Sequence, residues 1–348
     1  MPATFKRRAV ILFRYFFRRV GGMIALVWAA LSALAGFFEF LRYAGDYDAA
    51  TALLLALLAT PRLAMETSFF AAAIGAAAAL RRADDSHELS VMRASGLSVS
   101  MVAAFSAAAA LPVAGLYGAA SELLIAPGRN VARLVREEGN IGRNVWLREG
   151  DNFARIGEVI GGNLLRDIII YQTGGGQITT ILTAKSGERI SEGWLLRDVE
   201  TAHPANGEVV REKFASRPWL MRINAGALSA LNERPRDMSA AGLARASDAL
   251  EHSGQNAAKF AGALWARAAG LPALLLLAAS AVWMVHRRRR LTAPPAALGA
   301  AAIGGAYYFG KQMSAQAAVL FSSPALNLLP LLALAAAVFF ALRHHRRL

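Results

Sequence analysis

The sequence predicts a membrane α-helical protein with six transmembrane helices, three plus three, and an all-β domain inserted between the two halves. Two observations predict this. Apolar runs cluster at both ends of the chain, and one long polar stretch, from about Arg129 to about Gln255, separates them. A third, the placement of Lys and Arg, fixes the orientation.

The first three runs are Val20 to Phe38, Leu63 to Leu80 and Val99 to Ala119, and the last three are Phe260 to Val285, Leu291 to Tyr308 and Leu326 to Leu342. Each is close to the roughly 20 residues that a helix needs to cross about 30 Å of hydrocarbon. Hydrophobic residues make up 55% of the chain and mean hydropathy is +0.37, high for a soluble domain. A soluble protein would have to bury all six runs. The first run is too long for a signal peptide and no small-x-small site follows it, so it is expected to remain as an anchor.

Basic residues gather in four segments: Lys6, Arg7, Arg8, Arg14, Arg18 and Arg19; Arg81, Arg82 and Arg93; His286 with Arg287 to Arg290; and Arg343, His344, His345, Arg346 and Arg347. With six spans all four lie on one face, which the positive-inside rule makes cytoplasmic. Both termini are then inside and the insert is outside, while five or seven spans would scatter the clusters. Much of the net charge of +14 therefore orients insertion and meets anionic lipid. No basic stripe interleaved with aromatics appears, which argues against nucleic acid. The chain has no Cys, so an exported domain must rely on its own core rather than on disulfides.

The insert alternates short strand-like runs with turn chemistry. The runs are Val145 to Leu147, Phe153 to Ile156, Asp167 to Gln172, Gln177 to Thr183, Trp194 to Val199, Val209 to Phe214 and Trp219 to Ile223. Turns are expected at Glu149 to Asn152, Gly161-Gly162, Gly174 to Gly176, Ser186-Gly187 and Pro204 to Gly207. That spacing suggests a sandwich, jelly roll or barrel. Helical periodicity returns with Leu243, Ala246 and Leu250, an amphipathic connector leading into the fourth span. The expected boundaries are 1–128 for the first membrane half, 129–237 for the β domain, 238–255 for the connector and 256–348 for the second half.

Catalytic signals are weak or absent. Ala184-Lys185-Ser186 lacks the glycines of a phosphate loop. His87 has no metal-ligand partner at useful spacing, and no Ser-His-Asp or paired-carboxylate arrangement stands out. The expectation is a non-enzyme that transports, anchors or scaffolds, with no cofactor and no metal of its own.

The loop between the second and third spans carries the sharpest local signal. Asp85 with Glu88 has capping-box spacing, and Gly96 is a natural terminator, so a short helix is expected from Ser86 to Ser95, within 85–96. It reads equally well as an interfacial turn or as a coupling helix that docks a cytoplasmic partner.

The string Glu88-Leu89-Ser90-Val91-Met92-Arg93-Ala94-Ser95-Gly96, set between spans two and three, resembles the LptF/LptG family of lipopolysaccharide export permeases. So do Glu122 with Ala126-Pro127, Arg133 and Arg136, Trp146 ahead of Gly150-Asp151-Asn152-Phe153, and Ser253-Gly254-Gln255. The likeness covers nearly the whole chain. Through Phe40-Leu41-Arg42-Tyr43-Ala44-Gly45 and the Trp146 region it is closer to the LptG branch. The resemblance implies an ABC transporter permease of the bacterial inner membrane with a periplasmic jellyroll-like domain. It implies an LptF-like sister permease, an LptB-like ATPase dimer that uses the ATP, and an LptC-like single-span protein. Glu88, Met92 and Arg93 would then face the ATPase.

Counting about 1.5 Å per helical residue from Arg19, Arg81, His286 and Arg290 places Arg42, Arg62, Arg267 and Lys311 about 28–35 Å away, at the outer ends of their spans. Glu39 lies one turn below Arg42, and Glu66 one turn below Arg62 at i,i+4 spacing. Arg133 and Arg136 are three apart, on one helix face. Basic residues are disfavoured on the outer side, so these invite a function. The lipid A head carries phosphates, which Arg binds in bidentate fashion. Glu39, Arg42, Arg62, Arg133, Arg136 and Lys311 are therefore the expected substrate contacts. Family members often carry Lys where Glu39 stands and an acidic residue near Arg42, so Glu39 is expected to contact Arg42 or a cation of the sister chain as readily as substrate. The alternative for the basic residues is snorkelling to ordinary headgroups. The alternative for the whole chain is a permease or membrane-anchored β scaffold for another lipid or lipoprotein.

Overall fold

The computed structural model describes residues 3–135, 141–149, 152–160, 163–174, 177–190, 193–205, 208–220, 234–252, 254–287 and 293–345. These form two compact units: residues 1–132 with 262–348, and residues 133–261.

The first unit is helical. Helix α1 (Ala3–Phe16) runs through a π-helical turn (Phe17–Gly21) into α2 (Gly22–Tyr43). Helix α3 (Ala49–Asp85) is 37 residues long and starts at Asp48, whose side chain accepts from the Ala50 and Thr51 amides. Helix α4 (Glu88–Ala94) is the short element expected between spans two and three. The third span divides at Ala110 into α5 (Val99–Ala109) and α6 (Leu111–Leu123), where Pro112 removes an amide donor. Helix α7 (Ile125–Val135) follows, and after the insert and its connector α8 (Ala240–His252) come α9 (Ala258–Arg287), α10 (Ala293–Leu320) and α11 (Leu329–His345), the last entered through a 3-10 turn (Pro324–Leu328).

Among the described residues, five helical stretches are long and apolar enough to cross a membrane: Val10–Tyr43, Ala49–Asp85, Val99–Leu123, Ala258–Trp283 and Pro324–Arg343. The fifth expected span lies on α10, which is long enough at 28 residues but is less apolar because Lys311, Gln312, Ser314 and Gln316 occupy its second half. Leu26, Phe38, Leu298, Phe309, Leu332 and Phe340 point outward, as lipid-facing side chains do.

Helix α3 is the core of this unit. Phe69, Ala71, Ala72, Ala76 and Ala77 are wholly buried, and small side chains let neighbouring backbones close in. A Cβ on Gly75 would lie 2.5 Å from Ile24 Cα, so α2 and α3 touch backbone to backbone there. Further along the same seam Trp28 Nε1 donates to the Ala64 carbonyl at 2.6 Å, and Ser32 and Thr67 hydroxyls meet at 3.2 Å. Gly304 of α10 approaches Phe70 of α3 in the same way, with 3.3 Å from its would-be Cβ to Phe70 Cα.

Among the described residues, the second unit contains six antiparallel strands, β1 (Ile141–Glu149), β2 (Asn152–Ile160), β3 (Leu164–Gly174), β4 (Gln177–Ile190), β5 (Gly193–Ala205) and β6 (Glu208–Trp219), paired in chain order. The all-β expectation holds, but the described strands form a meander, whereas a jelly roll interleaves non-sequential neighbours. The seventh expected run, Trp219 to Ile223, lies largely outside the described residues. Buried Val145 pairs with Ile156, Ile156 with Ile168, Ile168 with Ala184 and Ala184 with Val199, one apolar row across five strands.

In each ladder the pairing steps over one position, and those positions align: Gly157, Asp167, Lys185, Asp198 and Ala215. Asp167 and Asp198 take left-handed backbone there, with φ 51° and 52°. The inward phase shifts by one at the same line, from Ile156 to Val159, from Leu165 to Ile168 and from Leu196 to Val199. The sheet is thus creased, and its apolar face stays continuous across the crease. Ser186-Gly187, expected as a turn, lies inside β4 for this reason. A Cβ on Gly187 would meet Ile168 Cδ1 at 3.0 Å and Leu196 Cδ2 at 3.1 Å, side chains from opposite sides of the line. Gly187→Val is expected to destabilise the sheet by about 1–3 kcal/mol through overpacking, seen as faster limited proteolysis of residues 133–261 in the full chain.

Candidate functional site

A charge network occupies the end of α2, α3 and α10 opposite α4. Glu39 sits three residues before Arg42 on α2, and their charged groups approach to 3.3 Å. Arg62, one residue after Pro61 inside α3, reaches across to α2, with Nη2 3.5 Å from Glu39 Oε1. Its other terminal nitrogen, Nη1, lies 3.2 Å from Glu66 Oε1, one turn along α3. Glu66 Oε2 in turn accepts from the Tyr308 hydroxyl of α10 at 3.4 Å, and that hydroxyl accepts from Gln312 Nε2 at 3.1 Å. The chain of contacts therefore runs Arg42, Glu39, Arg62, Glu66, Tyr308, Gln312, and links three helices.

Exposure grades this network. The Arg42 side chain is 65% exposed and also lies over the Tyr43 ring, 4.9 Å from its centroid. Glu39 is 11% exposed and Arg62 22%, so their mutual attraction acts in a medium far less screening than water. Lys311, one turn from Tyr308, turns elsewhere: its Nζ stands 5.0 Å from the centre of the Phe69 ring, a cation–π contact inside the bundle. Phe69 is edge-on to Tyr117 and tilted against Tyr307. Arg267 of α9 lies 4.0 Å from Glu122 of α6.

A second charged cluster surrounds α4. Its first residue, Glu88, accepts from the Tyr15 hydroxyl of α1 and pairs with Arg19 of the π turn at 3.3 Å. The Tyr15 hydrogen bond first and then the Ser86 hydroxyl hold the Glu88 carboxyl below its ordinary pKa; burial opposes them, and the Arg19 charge adds the least. The helix ends as expected: Gly96 has φ 95°, its amide bonds the Arg93 carbonyl at 2.9 Å, and the Leu97 amide bonds the Met92 carbonyl at 3.1 Å, a Schellman pair. Its start differs from the capping box read in the sequence. Asp85 closes α3 and pairs with Arg81 at 2.8 Å, while His87, in left-handed backbone, precedes Glu88 without a side-chain cap. The i,i+4 partner on its own helix outcompetes a cap on the next one. Leu89 is buried and Met92 packs on the core, whereas Val91 is 68% exposed beside exposed Ser90 and Ala94.

The family described as lipopolysaccharide export system permease LptF/LptG matches residues 14–344. The chain belongs to the LptF/LptG family. The chain is 27% identical over 274 residues to the lipopolysaccharide export system permease protein LptG of Escherichia coli strain K12, covering 74% of this chain and 76% of that one. LptG of Haemophilus influenzae is 26% identical over 270 residues, 72% and 75% of the two chains. This LptF/LptG permease is thus a multi-pass inner-membrane subunit of the lipopolysaccharide export system, a transporter component that works with partner proteins.

Within this LptF/LptG protein the expected substrate residues divide into three groups. Glu39, Arg42 and Arg62 come together, joined by Glu66. Lys311 is near them but set against an aromatic ring rather than into an open ring of cations. Arg133 is on α7 by its backbone, its side chain outside the described residues, and Arg136 lies outside them altogether. Tyr308 and Gln312 were not read from the sequence as site residues. Their only signal is that Tyr308 stands three residues before Lys311 and four before Gln312 on one helix. Tyr15 was missed too, because 73 residues separate it from Glu88.

Proposed function

We propose that the chain is the LptG-type permease of an ATP-driven exporter, paired with an LptF-like sister and powered by an LptB-like ATPase dimer that binds the nucleotide. An LptC-like single-span protein completes the assembly. Both termini lie in the cytoplasm and the β domain in the periplasm, in keeping with the four basic segments on one side of the spans. The observation that carries the reading is α4. It is a terminated helix between two spans, anchored inward by Leu89 and Met92 and presenting Val91 outward. An exposed apolar residue on a fixed short helix is a docking knob for a groove on a partner. Arg93 joins this surface, and Glu88 sets its angle through Tyr15 and Arg19. ATP-driven closure of the ATPase then moves α4 and the spans that flank it. Lipopolysaccharide enters beside α2 and α10, with its phosphates read by Arg42, Arg62, Arg133 and Arg136 and its acyl chains in the apolar cavity between the paired permeases.

Co-purification of the full-length chain with its sister and the ATPase tests this. Val91→Asp and Glu88→Ala are each expected to lower ATPase recovery at least tenfold, about 1.4 kcal/mol of binding, with the permease pair intact. Association and export that survive Glu88→Ala would overturn the assignment of α4. Since the folded pKa of Glu88 is depressed, its contribution is present at neutral pH. It should fade only as pH drops through the ordinary carboxylate range toward that lower value. Tyr15→Phe removes the largest cause and should move the loss of association to higher pH. For the substrate, photocrosslinkers at positions 62, 133 and 136 are expected to capture lipopolysaccharide, and capture at none of them favours snorkelling.

A further inference from the structure

Arg62 is the basic residue best placed among the described ones to read a phosphate, and its fork is already occupied. One terminal nitrogen faces Glu39 at 3.5 Å and the other faces Glu66 at 3.2 Å. Bidentate recognition of a phosphate needs two parallel N–H donors of the same guanidinium. Two carboxylates, one on α2 and one on α3, hold the place that a single phosphate would take.

We propose that Glu39 and Glu66 are built-in stand-ins for the lipid phosphate on Arg62, and that an arriving phosphate displaces them. This rests on the lipopolysaccharide reading above and specifies how its headgroup is admitted. Three features make displacement feasible. Neither carboxylate depends on Arg62 alone: Glu39 keeps Arg42 at 3.3 Å, and Glu66 keeps the Tyr308 hydroxyl at 3.4 Å. Lys311 stands one turn from Tyr308 on the same helix, so a further basic side chain lies on the element that holds Glu66. The exchange also replaces single contacts to two separate carboxylates by two parallel N–H···O bonds to one phosphate, the geometry that a guanidinium fork matches.

The stand-ins also select. An uncharged headgroup brings nothing to replace the carboxylates with, and breaking both contacts would leave Arg62, 22% exposed, without a partner. A zwitterionic phospholipid offers one phosphate already offset by its own cation. Only a headgroup with uncompensated phosphate gains by the exchange. Displacement would also release the Glu39 to Arg62 contact that crosses from α2 to α3, while the contact of Glu66 with Tyr308 still ties α3 to α10. Headgroup binding and loss of that charged contact are then one event.

The test measures binding of bis-phosphorylated lipid A, and of the same lipid after enzymatic removal of its phosphates, to the full-length chain in phospholipid nanodiscs. Glu39→Gln and Glu66→Gln each free one arm of the fork while keeping side-chain size. Each is expected to raise affinity for the phosphorylated lipid about threefold to tenfold and to leave the dephosphorylated lipid unchanged. The two substitutions touch different nitrogens of Arg62, so if one variant is recovered poorly the other carries the same test. Unchanged or weaker binding of the phosphorylated lipid in the variants, with normal binding by the native chain, would overturn the stand-in role alone. An equal gain for both lipids would overturn it too, since it signals a loosened bundle. Binding of neither lipid by any form would overturn the headgroup reading itself.

Discussion

Arg62→Ala is expected to lower the stability of the helical unit by about 1–3 kcal/mol and to abolish lipopolysaccharide export. The size follows from what the substitution leaves behind. Glu39 at 11% exposure and Glu66 at 36% would face each other across the α2 to α3 seam with the guanidinium between them gone. Removing one partner of a half-buried ionic network costs more than the network is worth, because Glu39, the less solvated of the two carboxylates, keeps only the exposed Arg42 as a counter-charge. Arg42→Ala is the contrast. That side chain is 65% exposed, and its loss should shift stability by no more than about 1 kcal/mol. Thermal unfolding of the two variants in the same detergent checks the pair: equal shifts would show that Arg62 is as well solvated as Arg42. Arg62→Lys should recover part of the stability but little of the export, since one ammonium cannot present a fork.

The second large effect is expected at Gly75. Gly75→Leu should prevent accumulation of folded chain, and Gly75→Ala should lower the melting temperature markedly, at the upper end of the about 1–3 kcal/mol typical of overpacking. A Cβ there would fall 2.5 Å from Ile24 Cα and 2.8 Å from Ile24 N. Backbone atoms cannot rotate aside as a side-chain tip can, so α2 must move off α3. That movement would also draw Trp28 from the Ala64 carbonyl and Ser32 from Thr67 further along the seam. Gly22, whose would-be Cβ meets nothing within 4 Å, is the matched control, and Gly22→Ala should be silent. Fluorescence-detected size exclusion of the three variants separates these outcomes.

Much of the architecture was legible because it rests on quantities that add along the chain. Hydropathy over about 20 residues marks a span wherever its neighbours lie. Turn chemistry and β-branched runs marked six of the strands in the same local way. Local reasoning failed where two elements compete for one residue. Asp85 had capping-box spacing to Glu88, yet Arg81 one turn earlier on its own helix captures it at 2.8 Å. Ser186-Gly187 looked like a turn because Gly usually marks one, whereas here the glycine makes room for Ile168 and Leu196 across the crease.

By itself, then, the sequence determined the class, five of the six expected spans, the all-β insert, the short helix between spans two and three, and the depth at which Glu39, Arg42, Arg62, Glu66 and Lys311 lie along their helices. Depth follows from a fixed rise per residue. Only the tertiary structure decided which charges meet. Glu39 reaches Arg62, Tyr308 reaches Glu66, Lys311 turns to Phe69, and Glu88 is claimed by Tyr15 and Arg19. These contacts depend on how each helix is rotated about its axis and how closely it packs, set by small residues such as Gly75 and Gly304 on a neighbouring face. No spacing within one helix encodes the rotation of the next.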